Sequence, residues 1–133
     1  MNIFKWFTGN RPAPSLLRPG RGWTTDIYGE SNYQPALSKA YRRHGGTGSD
    51  LKVSATLVPE QNNKHDSNAV RVEIDGSTVG YLPREKAAEY RASLGAQSGQ
   101  CGAKITGGHE RYNGERAFFG VKLNMRWPPS IAS

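Results

Sequence analysis

The stretch LKVSATLVPEQNNKHDSNAVRVEIDGSTVGYL, Leu51 to Leu82, decides the fold. Leu51, Val53, Ala55 and Leu57 alternate with Lys52, Ser54 and Thr56, the pattern of a strand with one face buried and one wet. Val70, Val72 and Ile74 repeat it against Arg71 and Glu73. Between the two strands runs a polar loop, PEQNNKHDSN, Pro59 to Asn68. Asp75-Gly76 then marks a tight hairpin turn, because glycine supplies the positive φ such turns require. Thr78 to Leu82 returns as the partner strand.

Upstream, WTTDIYG from Trp23 to Gly29 is rich in aromatic and β-branched residues, which suits another strand. Pro35 opens a helix that carries ALSKAYRR, with Leu37, Ala40 and Tyr41 on one face. Arg42, Arg43 and His44 complement its dipole, and Gly45-Gly46 ends it. The GGTGSD run that follows lacks the Gly-Lys-Ser/Thr of a phosphate-binding P-loop. Downstream, Pro83 opens a second helix, PREKAAEYRASL, with Ala87, Tyr90, Arg91 and Leu94 inward and Gly95 at its end. Ala103 and Ile105 mark a strand, Asn113-Gly114 a turn, and Ala117, Phe119, Val121 and Leu123 the return. About six short strands and two short helices predict a mainly β (α+β) fold, a small OB-like or SH3-like, partly open β-barrel.

The chain of 133 residues suits one domain, and 35% apolar residues with 16 glycines and 8 prolines suit a compact core bordered by loops. Residues 1–22 read as a flexible basic arm, since Pro12, Pro14 and Pro19 discourage helix and sheet while Lys5, Arg11, Arg18 and Arg21 stand without an acid. Either phosphate contact or a solvated tail fits that arm. The barrel is expected over 23–125, and WPPSIAS within 126–133 reads as a loose tail.

Eighteen Lys and Arg against eleven Asp and Glu give +7, a balance that favours anionic partners such as nucleic acid or a charged membrane face. The aromatic start MNIFKWFTGN is too short for a membrane span and lacks a cleavage-site pattern, so no stable membrane insertion and a cytoplasmic location are expected. Cys101 is the sole cysteine, and it shares no ligand spacing with His44, His65 or His109. No metal or other cofactor is expected.

The loop from Pro59 to Asn68 gathers Glu60, Gln61, Asn62, Asn63, Lys64, His65, Asp66 and Asn68. Binding residues held by a rigid scaffold fit this composition, and so does ordinary turn formation by Asn and Asp. His65 beside Asp66 is not an acid–base pair on spacing alone, and no nucleophile is marked, so an enzyme is not expected.

Three segments, in order, resemble the HIRAN domain family. They are YGESNYQPAL (Tyr28 to Leu37), LVPEQNNKHDSNAVRV (Leu57 to Val72) and VGYLPREKAA (Val79 to Ala88), within a resemblance spanning Thr24 to Met125. The resemblance implies an OB-like barrel that captures the terminal nucleotides of a 3′ single strand of DNA. On it, Asp66 matches the group that accepts a hydrogen bond from the 3′-hydroxyl, which suits a carboxylate because it accepts and cannot donate. His65 fills the slot of a base-stacking aromatic residue with a smaller ring; such stacking contributes roughly 1–3 kcal/mol per base. Asn63 belongs to the signature's paired asparagines, and Lys64 stands where the family usually has proline. Tyr33 lies near a family stacking position, while Tyr81 and Arg84 match positions near the bound backbone. For Tyr33 and Tyr81, plain packing fits as well. By alternation Phe119 faces the core, which leaves Phe118 as the surface ring, on the same side as Lys122. The expected partner is single-stranded DNA, with a helicase, nuclease or other DNA-processing protein beside it. A protein-docking module using Trp6, Phe7 or Trp127 is the alternative.

Overall fold

The computed structural model describes residues 11–109, 112–114 and 117–133, so the aromatic start with Lys5, Trp6 and Phe7 lies outside the described residues. In chain order the elements are β1 (Ser15–Leu16), β2 (Thr25–Asp26), a 3-10 turn (Glu30–Asn32), α1 (Gln34–Arg43), β3 (Leu51–Pro59), β4 (Val70–Ile74), β5 (Ser77–Tyr81), α2 (Arg84–Leu94), β6 (Gly99–Thr106) and β7 (Gly120–Asn124). The fold is mainly β, as the alternation predicts.

Strand β3 is the spine. It pairs antiparallel with β4 on one side and with β6 on the other, and the sheet runs β2-β7-β6-β3-β4-β5. The β4–β5 turn is the expected hairpin, with Asp75 and Gly76 at φ 54° and 79°. The sheet curls into a small, partly open barrel, and a pair of backbone hydrogen bonds bridges its open side. Tyr28 N–H donates to the Tyr81 carbonyl and Tyr81 N–H to the Tyr28 carbonyl, both at 2.9 Å. Gly80 permits this approach: a Cβ there would lie 2.7 Å from the Tyr28 carbonyl oxygen and 2.8 Å from Ile27 Cδ1.

Inside, Leu57, Val70, Val72, Ile105 and Leu123 are buried from the sheet, Leu37 and Tyr41 from α1, and Ala87 and Tyr90 from α2. The lone thiol of Cys101 joins them, and burial pushes it up to about 12, so it stays protonated. Gln34 begins α1 one residue ahead of Pro35. Its amide clamps the start of β7, donating to the Phe119 carbonyl at 2.9 Å and accepting from Phe119 N–H at 2.9 Å.

The two expected tails behave differently from a free chain where they are described. Ser15–Leu16 pairs in parallel with β6, Leu17 is 2% exposed in the core, and Leu17 pairs with Ile131. Trp127 is half-buried against the core, and its Nε1 donates to Thr25 Oγ1 at 2.8 Å. Proline density rules out helix but leaves extended backbone, which the edge of β6 accepts. Burying Leu17 adds about 1.5–3 kcal/mol to hold it. Strand β6 also starts earlier than its apolar alternation suggests, because Gly99 and Gly102 hide the period.

Candidate nucleic-acid interface

The loop between β3 and β4 is built on side chains that satisfy its own backbone. Asn63 Oδ1 accepts N–H bonds from His65 at 2.8 Å and from Asp66 at 2.9 Å. Asp66 Oδ1 in turn accepts from Asn68 N–H at 2.9 Å, an Asx turn. Asp66 is half-buried, and its second oxygen has no partner among the described residues. The rings and chains of Lys64 and His65 are exposed beside it.

Glu60 fastens this loop to the barrel. Its Oε1 accepts from Asn63 Nδ2 at 2.9 Å and its Oε2 from the Tyr81 hydroxyl at 2.9 Å, with Arg71 Nη1 3.7 Å from the same oxygen. Arg91 of α2 donates to the Glu60 carbonyl. The Tyr81 phenol is pushed up to about 12, first by burial, then by the Glu60 carboxylate, then by Tyr33. It is therefore a fixed donor, and Tyr33 is brought against it. Tyr28, 56% exposed, places its ring centroid 6.3 Å from that of Tyr81 at 41°. At the start of α2, Arg84 Nη2 donates to the His65 carbonyl at 2.9 Å and leaves the rest of an exposed guanidinium beside Asp66.

Asn63, Tyr81 and Arg84 are thus tied to the loop that carries Lys64, His65 and Asp66, and Tyr33 lies beside Tyr81. Phe118 is 76% exposed and belongs to the segment that Gln34, next to Tyr33, holds at Phe119. Phe119 itself packs on Tyr41, ring centroids 5.0 Å apart, so the assignment of the inner and outer ring by alternation is correct. Lys122 lies on the outer face of β7, where its Nζ meets Asp26 Oδ1 at 2.6 Å. Among the described residues no bond joins Lys122 to the loop.

On the far side of the loop, a cleft of about 940 Å³ is lined by Glu60–Asn63, Arg71, Arg11, Pro12 and Leu94. Of the predicted residues it includes Asn63 and neither Asp66 nor Arg84. The convergence around Asp66 is therefore an open surface, not the floor of that cleft.

The family model of the HIRAN domain matches residues 38–122, well over half of the 133-residue chain. The chain belongs to the HIRAN family. Comparisons with curated proteins and with solved structures gave no match. The HIRAN domain is known as a DNA-binding module. The match contains the whole 60–69 loop with Tyr81, Arg84, Phe118 and Lys122, while Tyr28 and Tyr33 precede it. No helix among the described residues is long and apolar enough to cross a membrane.

Glu60 and Tyr28 of this HIRAN domain escape a reading of the sequence. Glu60 looks like one more polar loop residue, and its contacts to Asn63, Tyr81 and Arg71 span the fold. Tyr28 did carry a signal: it follows the apolar Ile27 in an alternating strand, which turns a large ring outward.

Proposed function

We propose that this HIRAN domain is a non-catalytic module that binds single-stranded DNA by its free 3′-hydroxyl end at the 60–69 loop. The observation that carries the reading is the state of Asp66. Its backbone is fixed by Asn63, one carboxylate oxygen is used by Asn68 N–H at 2.9 Å, and the other has no partner among the described residues. A carboxylate in this state attracts a hydroxyl and repels a phosphate. Arg84, tethered 2.9 Å from the His65 carbonyl, supplies positive charge one residue away for the last phosphodiester. Tyr81, Tyr28 and Tyr33 offer flat surface for the terminal bases, with Phe118 as a further ring. Asp66 bonds Asn68 rather than the His65 ring, which supports binding over acid–base chemistry.

The test is competition among linear 3′-hydroxyl, linear 3′-phosphate and circular single strands. The hydroxyl end is expected to win, and Asp66→Ala to erase its advantage, about tenfold or more for a charged hydrogen bond of roughly 1.5–3 kcal/mol. Arg84→Ala is expected to weaken all three alike. Equal affinity of the wild type for all three strands overturns end recognition.

A further inference from the structure

Three lysines stand side by side across the outside of the barrel. The register sets Lys52 opposite Lys104, Lys104 opposite Lys122, and Lys122 opposite Asp26. Neighbouring strands lie about 4.8 Å apart, so the row covers roughly 10 Å. Like charges directly opposite each other weaken a sheet, and the fold offsets these in part. Lys122 holds Asp26 at 2.6 Å, Lys104 reaches Asp50 at 3.8 Å, and Lys52 has no carboxylate partner among the described residues. The Trp23 ring takes the place of an acid. Lys52 Nζ lies 4.6 Å and Lys104 Nζ 5.5 Å from its centroid. Its Nε1 is buried without a hydrogen-bond partner among the described residues, against the bare backbone of Gly102.

The segment leading into Trp23 brings further charge to the end of β7. Gly20 N–H donates to Asn124 Oδ1 at 2.7 Å and Arg126 N–H to the Arg18 carbonyl at 3.0 Å, which lays exposed Arg18, Arg21 and Arg126 along the end of β7. The strip also has a direction. Asp26, at its edge, is two residues from Tyr28, whose ring meets Tyr81. The basic row therefore begins where the aromatic group of the loop site ends.

We propose that this face is a second nucleic-acid contact, a phosphate-binding strip for the strand that leads away from the end held at the 60–69 loop. The placing of the strand's terminus rests on the function proposed above; the strip itself does not. Lysine rows with an interleaved aromatic ring suit a backbone of repeating phosphates and bases that stack without sequence preference. Compact ammonium groups on flexible stems meet such phosphates as point charges.

The experiment uses the whole chain, its Lys52→Gln/Lys104→Gln double variant, and two fluorescent 3′-hydroxyl probes, a tetranucleotide and a strand of about twenty nucleotides. Affinity is read across a salt series. The double variant is expected to bind the tetranucleotide as the wild type does and the long strand several-fold more weakly. Its log–log salt slope on the long strand should be shallower by about 1.4, at about 0.7 for each phosphate no longer contacted. An unchanged slope and affinity on the long strand overturns the strip. Should the double variant melt early, Lys52→Gln alone, at an exposed position, carries the test with a change of about 0.7. A shallower slope in a protein that binds 3′-hydroxyl and 3′-phosphate strands alike keeps the strip and overturns the end reading. An unchanged slope with a strong hydroxyl preference does the reverse.

Discussion

Glu60 shows how one side chain sets the chemistry of its neighbours. Its carboxylate accepts from Tyr81 at 2.9 Å and from Asn63 at 2.9 Å, so the phenol and the loop are held by the same group. Because the folded Tyr81 sits near 12 against an ordinary 10, its contribution to stability is fully present below pH 10 and is lost as pH rises through 12. Glu60→Gln removes the charge and weakens the bond while burial remains. The Tyr81 titration, followed by ultraviolet absorbance or by NMR, is expected to fall back toward 10 but not to reach it. Failure of that titration to move would remove Glu60 as its second cause. Reading residues in a row can name Asp66 and Arg84, because their motifs are local. It cannot name Glu60, whose partners Asn63, Arg71 and Tyr81 come together only when two strands and a loop close.

Elements were legible where their periods are long and unbroken. Strands β3, β4 and β5, the Asp75-Gly76 turn and both helices lie within a residue or two of their expected places. The sequence hides β1, because a two-residue strand has no period to detect, and it hides the first half of β6 behind Gly99 and Gly102. It also over-extends the last strand: Ala117 to Phe119 alternate correctly, but Gln34 and the His109 carbonyl take their hydrogen bonds. The closing of the barrel turns on Gly80, and this gives a prediction at the same scale. Gly80→Ala places a methyl group 2.7 Å from the Tyr28 carbonyl oxygen, backbone that cannot step aside cheaply. A loss of about 1–3 kcal/mol in urea unfolding is expected, the usual cost of overpacking. The Tyr28–Tyr81 ring pair should separate with it, read as a change in near-ultraviolet circular dichroism. Unchanged stability would mean that this pair does not hold the open side together.

At the scale of the molecule, the one buried charge among the described residues ties a terminal segment down. Glu73 is 6% exposed beneath Arg11, which reaches across at 3.1 Å, and beside Arg71 at 2.7 Å. Burial alone would raise this carboxyl, and the two arginines outweigh it, so it is held below its ordinary 4.5. A carboxyl depressed on folding contributes stability that is present above 4.5 and lost as pH falls through the folded value. Wild-type protein is therefore expected to lose stability more steeply than Glu73→Gln as pH falls below 4.5. At neutral pH that variant should already be weaker by roughly 1–3 kcal/mol, having lost charged hydrogen bonds in a nearly buried place. Parallel acid profiles for the two proteins would remove Glu73 as a source of the acid response. Alternation alone puts Glu73 outward with Arg71; the reach of Arg11 over it belongs to the assembled chain.

The pairing of Leu17 with Ile131 has a mechanical side. Its flanking bonds, Arg18 N–H to the Ser130 carbonyl at 2.9 Å and Ala132 N–H to the Leu16 carbonyl at 2.8 Å, lie at the two extremities of the described chain. Tension applied from both directions loads these bonds one after another, as a zipper is opened, and does not shear the long strands at the centre. A pull on the polypeptide would thus load the Arg11–Glu73 tie and then peel the margin, baring the edge of β6 before the long strands part.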